Sequence, residues 1–387
     1  MSAIISANQS AAKLDLCQSS LTKAFDLCVQ KTRINIKDLA DNPKSWSNAV
    51  DGDYSKWNEG FYELGNWTTS FFTGMALLAW RETEDEYFLQ QTLRLAPAYR
   101  EKALNPQCHS HHDMGFLYSL YSIAIYKLTG DKEHREVGIA AAEGIAARCN
   151  PNGNFIRAWG QAGTTEHDNM AIVDCLMNLP LLFWAANETG DTKFREIAVR
   201  HANMCLKYFI RPDDSVIHAL RFDLKTGQPI GPDNFCGHSN ESYWARGATW
   251  AIYGFALAHR YTGGQKYLEA SVRLAKKFIT ELDGEVVPVW DFRLPKNATP
   301  VRDASAAAVM VCAIQELEKL QVADPELLKA KVALLSRICS DDYLDVNPGC
   351  RGVLKSGYGS KVAFSSWGDY YLMEAVTREL NRSEPFW

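Results

Sequence analysis

Residues 170–196 read MAIVDCLMNLPLLFWAANETGDTKFRE. From Met170 to Trp184 apolar residues cover most of a helical circumference, which marks a helix buried on nearly all sides. Glu188-Thr-Gly-Asp191 then punctuates: Gly190 supplies the left-handed position that ends one helix, and the next residues start its partner. That partner opens Thr192-Lys-Phe-Arg-Glu196 and carries a charged stripe, so it belongs to an outer layer. The stretch therefore spells a buried helix, a tight reversal and a half-exposed antiparallel neighbour.

The same punctuation recurs at Leu128-Thr-Gly-Asp131 and Tyr261-Thr-Gly-Gly264. Three- and four-residue apolar spacing predicts helices over 14–29, 67–80, 87–103, 113–128, 132–149, 168–187, 192–209, 242–261, 265–282, 303–320, 325–338 and 367–380, with almost no strand. Alternation of buried and half-exposed members suggests an all-α closed double ring, the (α/α)6 barrel. An open solenoid of helix pairs also alternates, but at a near-constant period. Here Thr129 to Thr189 is 60 residues and Thr189 to Thr262 is 73. A length of 387 residues suggests two to three domains at about 150 residues each, yet one closed ring uses all of 1–387 as a single domain.

Composition narrows the function. Hydrophobic residues at 47% and charged residues at 22% are globular values that exclude disorder and coiled coil. A net charge of −5 leaves no basic field for nucleic acid, so an anionic substrate must be met by a few local cations. The start lacks a basic n-region and an apolar h-region, and no stretch approaches a membrane span, so a cytoplasmic location is expected. Ten cysteines are scattered with no C-x-x-C and read as reduced and structural. No phosphate loop, dinucleotide fingerprint or G-x-S-x-G elbow occurs, and no cofactor is expected.

The Pro- and Gly-containing loops at 150–167, 211–241 and 286–302 all lead into buried helices and gather at one end of the ring. Polar and aromatic residues open those helices there: Trp67, Asp113, Asp174, Trp244 with Arg246, Asp303, and Trp367 with Asp369. Asp303 and Asp369 read as helix caps, and Asp113 stands where a cap would. Asp174 lies too deep in its apolar run for capping, and a carboxylate buried there is costly unless it is paired, neutral or employed. A second carboxylate nearby, Asp113, would raise it by like-charge repulsion, which separates an acid from its partner. His111-His112-Asp113, with Cys108 and His109, invites a metal reading, but adjacent loop side chains rarely converge on one ion and no spaced ligand set follows, so none is expected. His218 divides evenly between a structural and a site role. Tryptophans alone are more often core than ligand platform.

Four segments together resemble glycoside hydrolase family 88, the unsaturated glucuronyl hydrolases: His112-Asp-Met-Gly-Phe-Leu-Tyr118, Ile172-Val-Asp-Cys-Leu-Met-Asn-Leu-Pro-Leu-Leu-Phe-Trp184, Trp244-Ala-Arg-Gly-Ala-Thr-Trp-Ala-Ile-Tyr-Gly254 and Trp367-Gly-Asp-Tyr-Tyr-Leu-Met-Glu-Ala375. The resemblance implies an (α/α)6 barrel without metal, with Asp174 as general acid/base and Asp113 as assisting carboxylate. By it, His218, Trp244, Arg246, Trp250, Trp67 and His111 contact substrate. The implied substrates are unsaturated uronate-containing oligosaccharides left by polysaccharide lyases, acted on by a monomer or homodimer. The implied reaction hydrates the C4=C5 double bond of the terminal uronate. His111 and Cys236 depart from the usual Asn and Gln of the family, which bears on linkage and sulfation preference. The alternatives are an unsaturated rhamnogalacturonyl hydrolase acting on pectin fragments, an ordinary inverting glycosidase or sugar epimerase on the same barrel, and a helical-repeat binding scaffold.

Overall fold

The computed structural model describes residues 17–43, 49–50, 52–54, 67–105, 111–159, 168–358, 361–380 and 384–387. Six helices form an inner ring: α2 (Thr69–Thr83), α5 (Met114–Tyr118, a π turn Ser119–Ile123, then Ala124–Thr129), α7 (Leu179–Thr189), α9 (Ala245–Thr262), α11 (Ala304–Lys319) and α13 (Ser366–Glu379). Each packs on the next, and α13 closes back on α2. Outside them lie α1 (Gln18–Asp41), α3 (Glu86–Leu93) with α4 (Ala96–Leu104), α6 (Lys132–Ala146), α8 (Thr192–Tyr208), α10 (Gln265–Thr280) and α12 (Pro325–Ile338). The closed ring is the expected (α/α)6 architecture, and its helices start and stop for the reasons read from sequence. Gly130, Gly190 and Gly263 end inner helices at φ 75°, 74° and 69°. Asp131 and Asp191 then accept the first-turn N–H groups of the outer partners.

Four expectations need correction. The helix expected over 87–103 is broken at Arg94–Leu95, with Pro97 placed in the first turn of α4, where its missing N–H costs nothing. The helix expected over 14–29 runs on to Asp41, while residues 14–16 fall outside the described residues. Strands are more numerous than expected, though short. β1 (Ala49–Val50), β7 (Ser356–Tyr358) and β8 (Lys361–Ser365) form one antiparallel sheet and β2 (Cys149–Asn150) pairs β3 (Phe155–Ile156). β4 (Met170–Ile172), β5 (Ala219–Phe222) and β6 (Pro229–Asp233) form the third sheet. The last correction matters most. The single helix expected over 168–187 is instead strand β4, a 3-10 turn Val173–Met177 and only then α7. Pairing of Ile172 with Ala219, extended by the Val173 N–H donating to the His218 carbonyl at 3.0 Å, supplies hydrogen bonds that helix would otherwise give.

The far end of the bore is filled by residues 384–387. Last-turn cations of the inner helices hold their backbone: Arg81 donates to the Glu384 carbonyl (2.8 Å), Lys127 to that of Phe386 (2.6 Å) and Arg260 to that of Trp387 (2.5 Å). Cations there also complement the negative ends of the helix dipoles. Phe386 and Trp387 are buried, and Trp387 Nε1 donates to Glu374 at 2.8 Å. Above Trp387 an aromatic column rises through Tyr371 (6.0 Å, stacked) and Phe116 (5.9 Å) to Trp250 and Trp67. Among the described residues no helix is long and apolar enough to cross a membrane.

Candidate active site

The opposite end of the ring gathers the N-terminal turns of the inner helices. Asp174 enters from the 3-10 turn that follows β4, a position set by sheet pairing rather than helix packing. Its Oδ2 is buried and has no hydrogen-bond partner among the described residues. Burial, reinforced by the nearby Asp113 charge, pushes its pKa up to about 6 against the opposing influence of His112 and Arg246. A group so placed holds a proton through mildly acidic pH and has a free oxygen to give it from.

Asp113 stands at the start of α5 but makes no side-chain cap. Its Oδ2 lies 3.2 Å from His111 Nδ1 and 3.2 Å from His112 Nε2, and its Oδ1 accepts from Asn178 Nδ2 at 3.4 Å. Burial alone would raise this carboxyl, but the adjoining His112 and the close approach of both histidine rings win and hold it well below the usual carboxylate range. Below about pH 6 the two carboxyls thus diverge, one protonated and one ionised, which is the pattern of an acid beside an anionic partner.

His218 precedes β5 and is buried. Its Nδ1 accepts the Phe235 N–H at 3.1 Å, and burial lowers its pKa to about 4, so the neutral ring carries its proton on Nε2. Trp244 immediately precedes α9, without capping it by its side chain, and meets the His218 ring edge-on at 4.8 Å. Arg246 lies beneath two rings, its guanidinium 4.7 Å from Trp244 and 5.1 Å from Trp367. Its Nη1 donates to Asp303 Oδ2 at 2.7 Å and to Ser305 Oγ at 3.3 Å, while Nε is buried without a partner among the described residues. Trp67 is half-buried and stacks on Trp367 at 4.9 Å.

The structure therefore brings Asp174, Asp113, His218, Trp244, Arg246 and Trp67 to one mouth. Trp250 and His111 sit deeper: Trp250 is fully buried against Phe116 and Tyr371, and His111 is fully buried behind Asp113. Of the adjacent histidines, His112 is the one within electrostatic reach of Asp174, Asp113 and His218 together, with Nδ1 buried and unpartnered among the described residues. Residue types alone do not separate His111 from His112; their ring directions do. Cys236 is within electrostatic reach of Arg246, Asp174 and Asp303, and burial pushes its thiol up to about 12, so it stays neutral. Cys108 and His109, weighed for metal, lie outside the described residues.

The two aspartates read as caps differ. Asp303 does cap α11, accepting the Ala306 N–H, while also pairing with Arg246. Asp369 does not cap α13, because Ser365 takes that position by accepting the Gly368 N–H. Instead the buried Asp369 accepts the N–H groups of Val353 and Leu354 and the Tyr54 hydroxyl, fastening residues 353–354 to the ring.

Comparison with known proteins finds relatives along most of the chain. The family model described as Glycosyl Hydrolase Family 88 matches residues 33–379. The unsaturated glucuronyl hydrolase of Bacillus sp. (strain GL1) is 34% identical over 323 residues, 81% of this chain and 86% of that protein. The unsaturated chondroitin disaccharide hydrolase of Streptococcus pyogenes serotype M1 is 32% identical over 382 residues, 96% of this chain and 94% of that protein. The crystal structure of the Bacillus sp. GL1 enzyme superposes with a TM-score of 0.86 at 31% identity, covering 95% of this chain and 99% of that one. With the ring closed as in that enzyme and the match running from α1 to the end of α13, the chain belongs to glycosyl hydrolase family 88.

Proposed function

We propose that the chain is an unsaturated glucuronyl hydrolase, which removes the 4-deoxy-4,5-ene uronic acid from the non-reducing end of lyase-generated glycosaminoglycan oligosaccharides. The observation that carries the residue roles is the divergence of the carboxyl pair, Asp174 raised to about 6 and Asp113 held low.

The substrate's C4=C5 bond is an enol ether conjugated to a carboxylate. Asp174 gives its proton to C4, and positive charge develops at C5 and the ring oxygen, which Asp113 opposes as a fixed anion. Water adds to C5 and passes a proton to the Asp174 carboxylate, which restores the acid. The hemiketal at C5 opens by breaking its bond to the ring oxygen. The resulting hemiacetal at C1 collapses, releasing the shortened saccharide as an alcohol and leaving an α-keto acid. One carboxyl group serves both proton transfers, because the anomeric carbon is never attacked; carboxyl spacing therefore carries no stereochemical meaning here.

Arg246, pinned by Asp303, is the cation for the uronate carboxylate, and Trp244 and Trp67 give faces on which the flattened ring can stack. His218 offers an Nε2 proton to a sugar hydroxyl. His111 and Trp250 take supporting places behind them. These side chains belong to one chain read as one catalytic domain, and either a monomer or a homodimer accommodates the reaction. Scattered cysteine usage supports the cytoplasmic reading.

The experiment is incubation with unsaturated chondroitin, hyaluronan and heparin disaccharides, following loss of the double-bond absorbance. Loss with at least one of them is expected. Unchanged absorbance with all three, alongside turnover of unsaturated pectin fragments or of saturated glycosides, overturns the reading.

A further inference from the structure

Between the two carboxyl-bearing segments lies a fully buried side chain that the chemistry above does not use. Asn178 closes the 3-10 turn, one residue before α7. Its Oδ1 accepts the Phe116 backbone N–H at 2.6 Å, which fixes the amide's orientation. Its Nδ2 then donates twice: to Asp113 Oδ1 at 3.4 Å and to the backbone carbonyl of Asp174 at 3.2 Å. One amide thus touches the first turn of α5, the ionised carboxylate and the peptide of the protonated one.

The approach is set by Gly115. A Cβ there would come within 2.3 Å of Asn178 Cα and 2.4 Å of its carbonyl oxygen, both backbone atoms that cannot swing aside. Glycine is needed here for close packing, with no positive φ involved. Asn178 does not cap its own helix with its side chain; its Oδ1 instead satisfies a first-turn N–H of α5, which leaves the Nδ2 donors for the two carboxyl-bearing segments.

We propose that Asn178, seated against Gly115, is the positioning residue that holds Asp174 and Asp113 in fixed register and keeps their protonation states apart. The proposal rests on the hydrolase reading for its kinetic consequence, though not for its electrostatic one. The Nδ2 donor stabilises negative charge on Asp113, and Asp113 in turn favours the proton on Asp174. The other groups facing the pair are His111, His112 and Arg148 around Asp113, His112, Arg246 and Cys236 around Asp174, and Cys175 beside both.

Asn178→Asp is the discriminating variant. It keeps shape and the acceptor for Phe116 but puts a lone pair and a charge where the donor was. The expected result is a cooperatively folding protein whose kcat falls by about 10²-fold, as for a catalytic group misplaced by ~1 Å, with KM little changed. The basic limb of its kcat profile moves to higher pH, because a third carboxylate beside Asp174 holds the proton longer. Asn178→Ala loses kcat without that upward movement, and Gly115→Ala loses kcat by parting the segments. A merely structural role would lower the folded fraction and leave the limb in place. Carbon-13 titration of the aspartate carboxyls, which needs no substrate, separates this proposal from the functional one. If wild type turns over no unsaturated disaccharide, the hydrolase reading fails, and the Asp174 titration in N178D still decides the clamp. Wild-type kcat in N178D, or an unmoved Asp174 titration, overturns it.

Discussion

Arg246 Nη1 donates to Asp303 Oδ2 at 2.7 Å, and both side chains are buried at the mouth of the ring. Asp303 is in turn held by the Ser356 hydroxyl (3.1 Å), the Ala306 N–H (3.1 Å) and Ser305 Oγ. The guanidinium is thus aimed before substrate arrives. Asp303→Ala leaves that cation uncompensated and is expected to cost about 3–5 kcal/mol of stability. Asp303→Asn keeps the shape with a weaker partner and should raise KM about tenfold, near 1.4 kcal/mol. Denaturant unfolding and steady-state kinetics check the two.

Asp174→Asn removes the proton donor and little else. Turnover is expected to fall by about 10²–10⁴-fold or more. Stability should move the other way. Because folding raises this carboxyl from 3.8 to about 6, the folded state binds its proton more tightly, so wild type loses stability as pH rises from about 4 through 6. Asparagine never ionises, so the variant's melting temperature should gain on wild type across that window and keep that gain at pH 8. Melting curves at several pH values decide this; a constant gap refutes it.

The pH dependence of kcat/KM follows from the same group. With Asp174 as the proposed acid, kcat/KM should decline as pH rises through about 6. Asp113→Asn deletes the like charge that helps raise Asp174, so the decline should shift to lower pH as the overall rate drops. Profiles of kcat/KM for wild type and D113N test the direction.

Trp387→Ala should destabilise the ring by about 3–5 kcal/mol, the usual result of emptying a large aromatic site. It also leaves Glu374 without its indole donor, although Tyr253 still donates to it at 2.7 Å. Denaturant midpoints measure the loss.

Much of this was legible in the residues. The Thr-Gly reversals located the helix pairs, and Asp174 stood out as a carboxylate inside an apolar run. What was hidden has a common cause. The segment 170–177 is strand and 3-10 turn because it pairs with 219–222, some fifty residues on, and a continuous apolar run has no periodicity that separates strand from buried helix. Asp369 looks like a cap because Ser365's prior claim is visible only once the chain has folded. Its true partners, Tyr54, Val353 and Leu354, come from two other stretches. The choice of His112 over His111 and the bridging amide of Asn178 depend on side-chain direction, which residue order does not encode.

Phe386 and Trp387 plug the ring at the end away from Asp174. A polysaccharide would then have to present a free tip to the other end to meet the proposed acid. Trimming from the end would be a property of the plugged ring as much as of the proposed chemistry at its head.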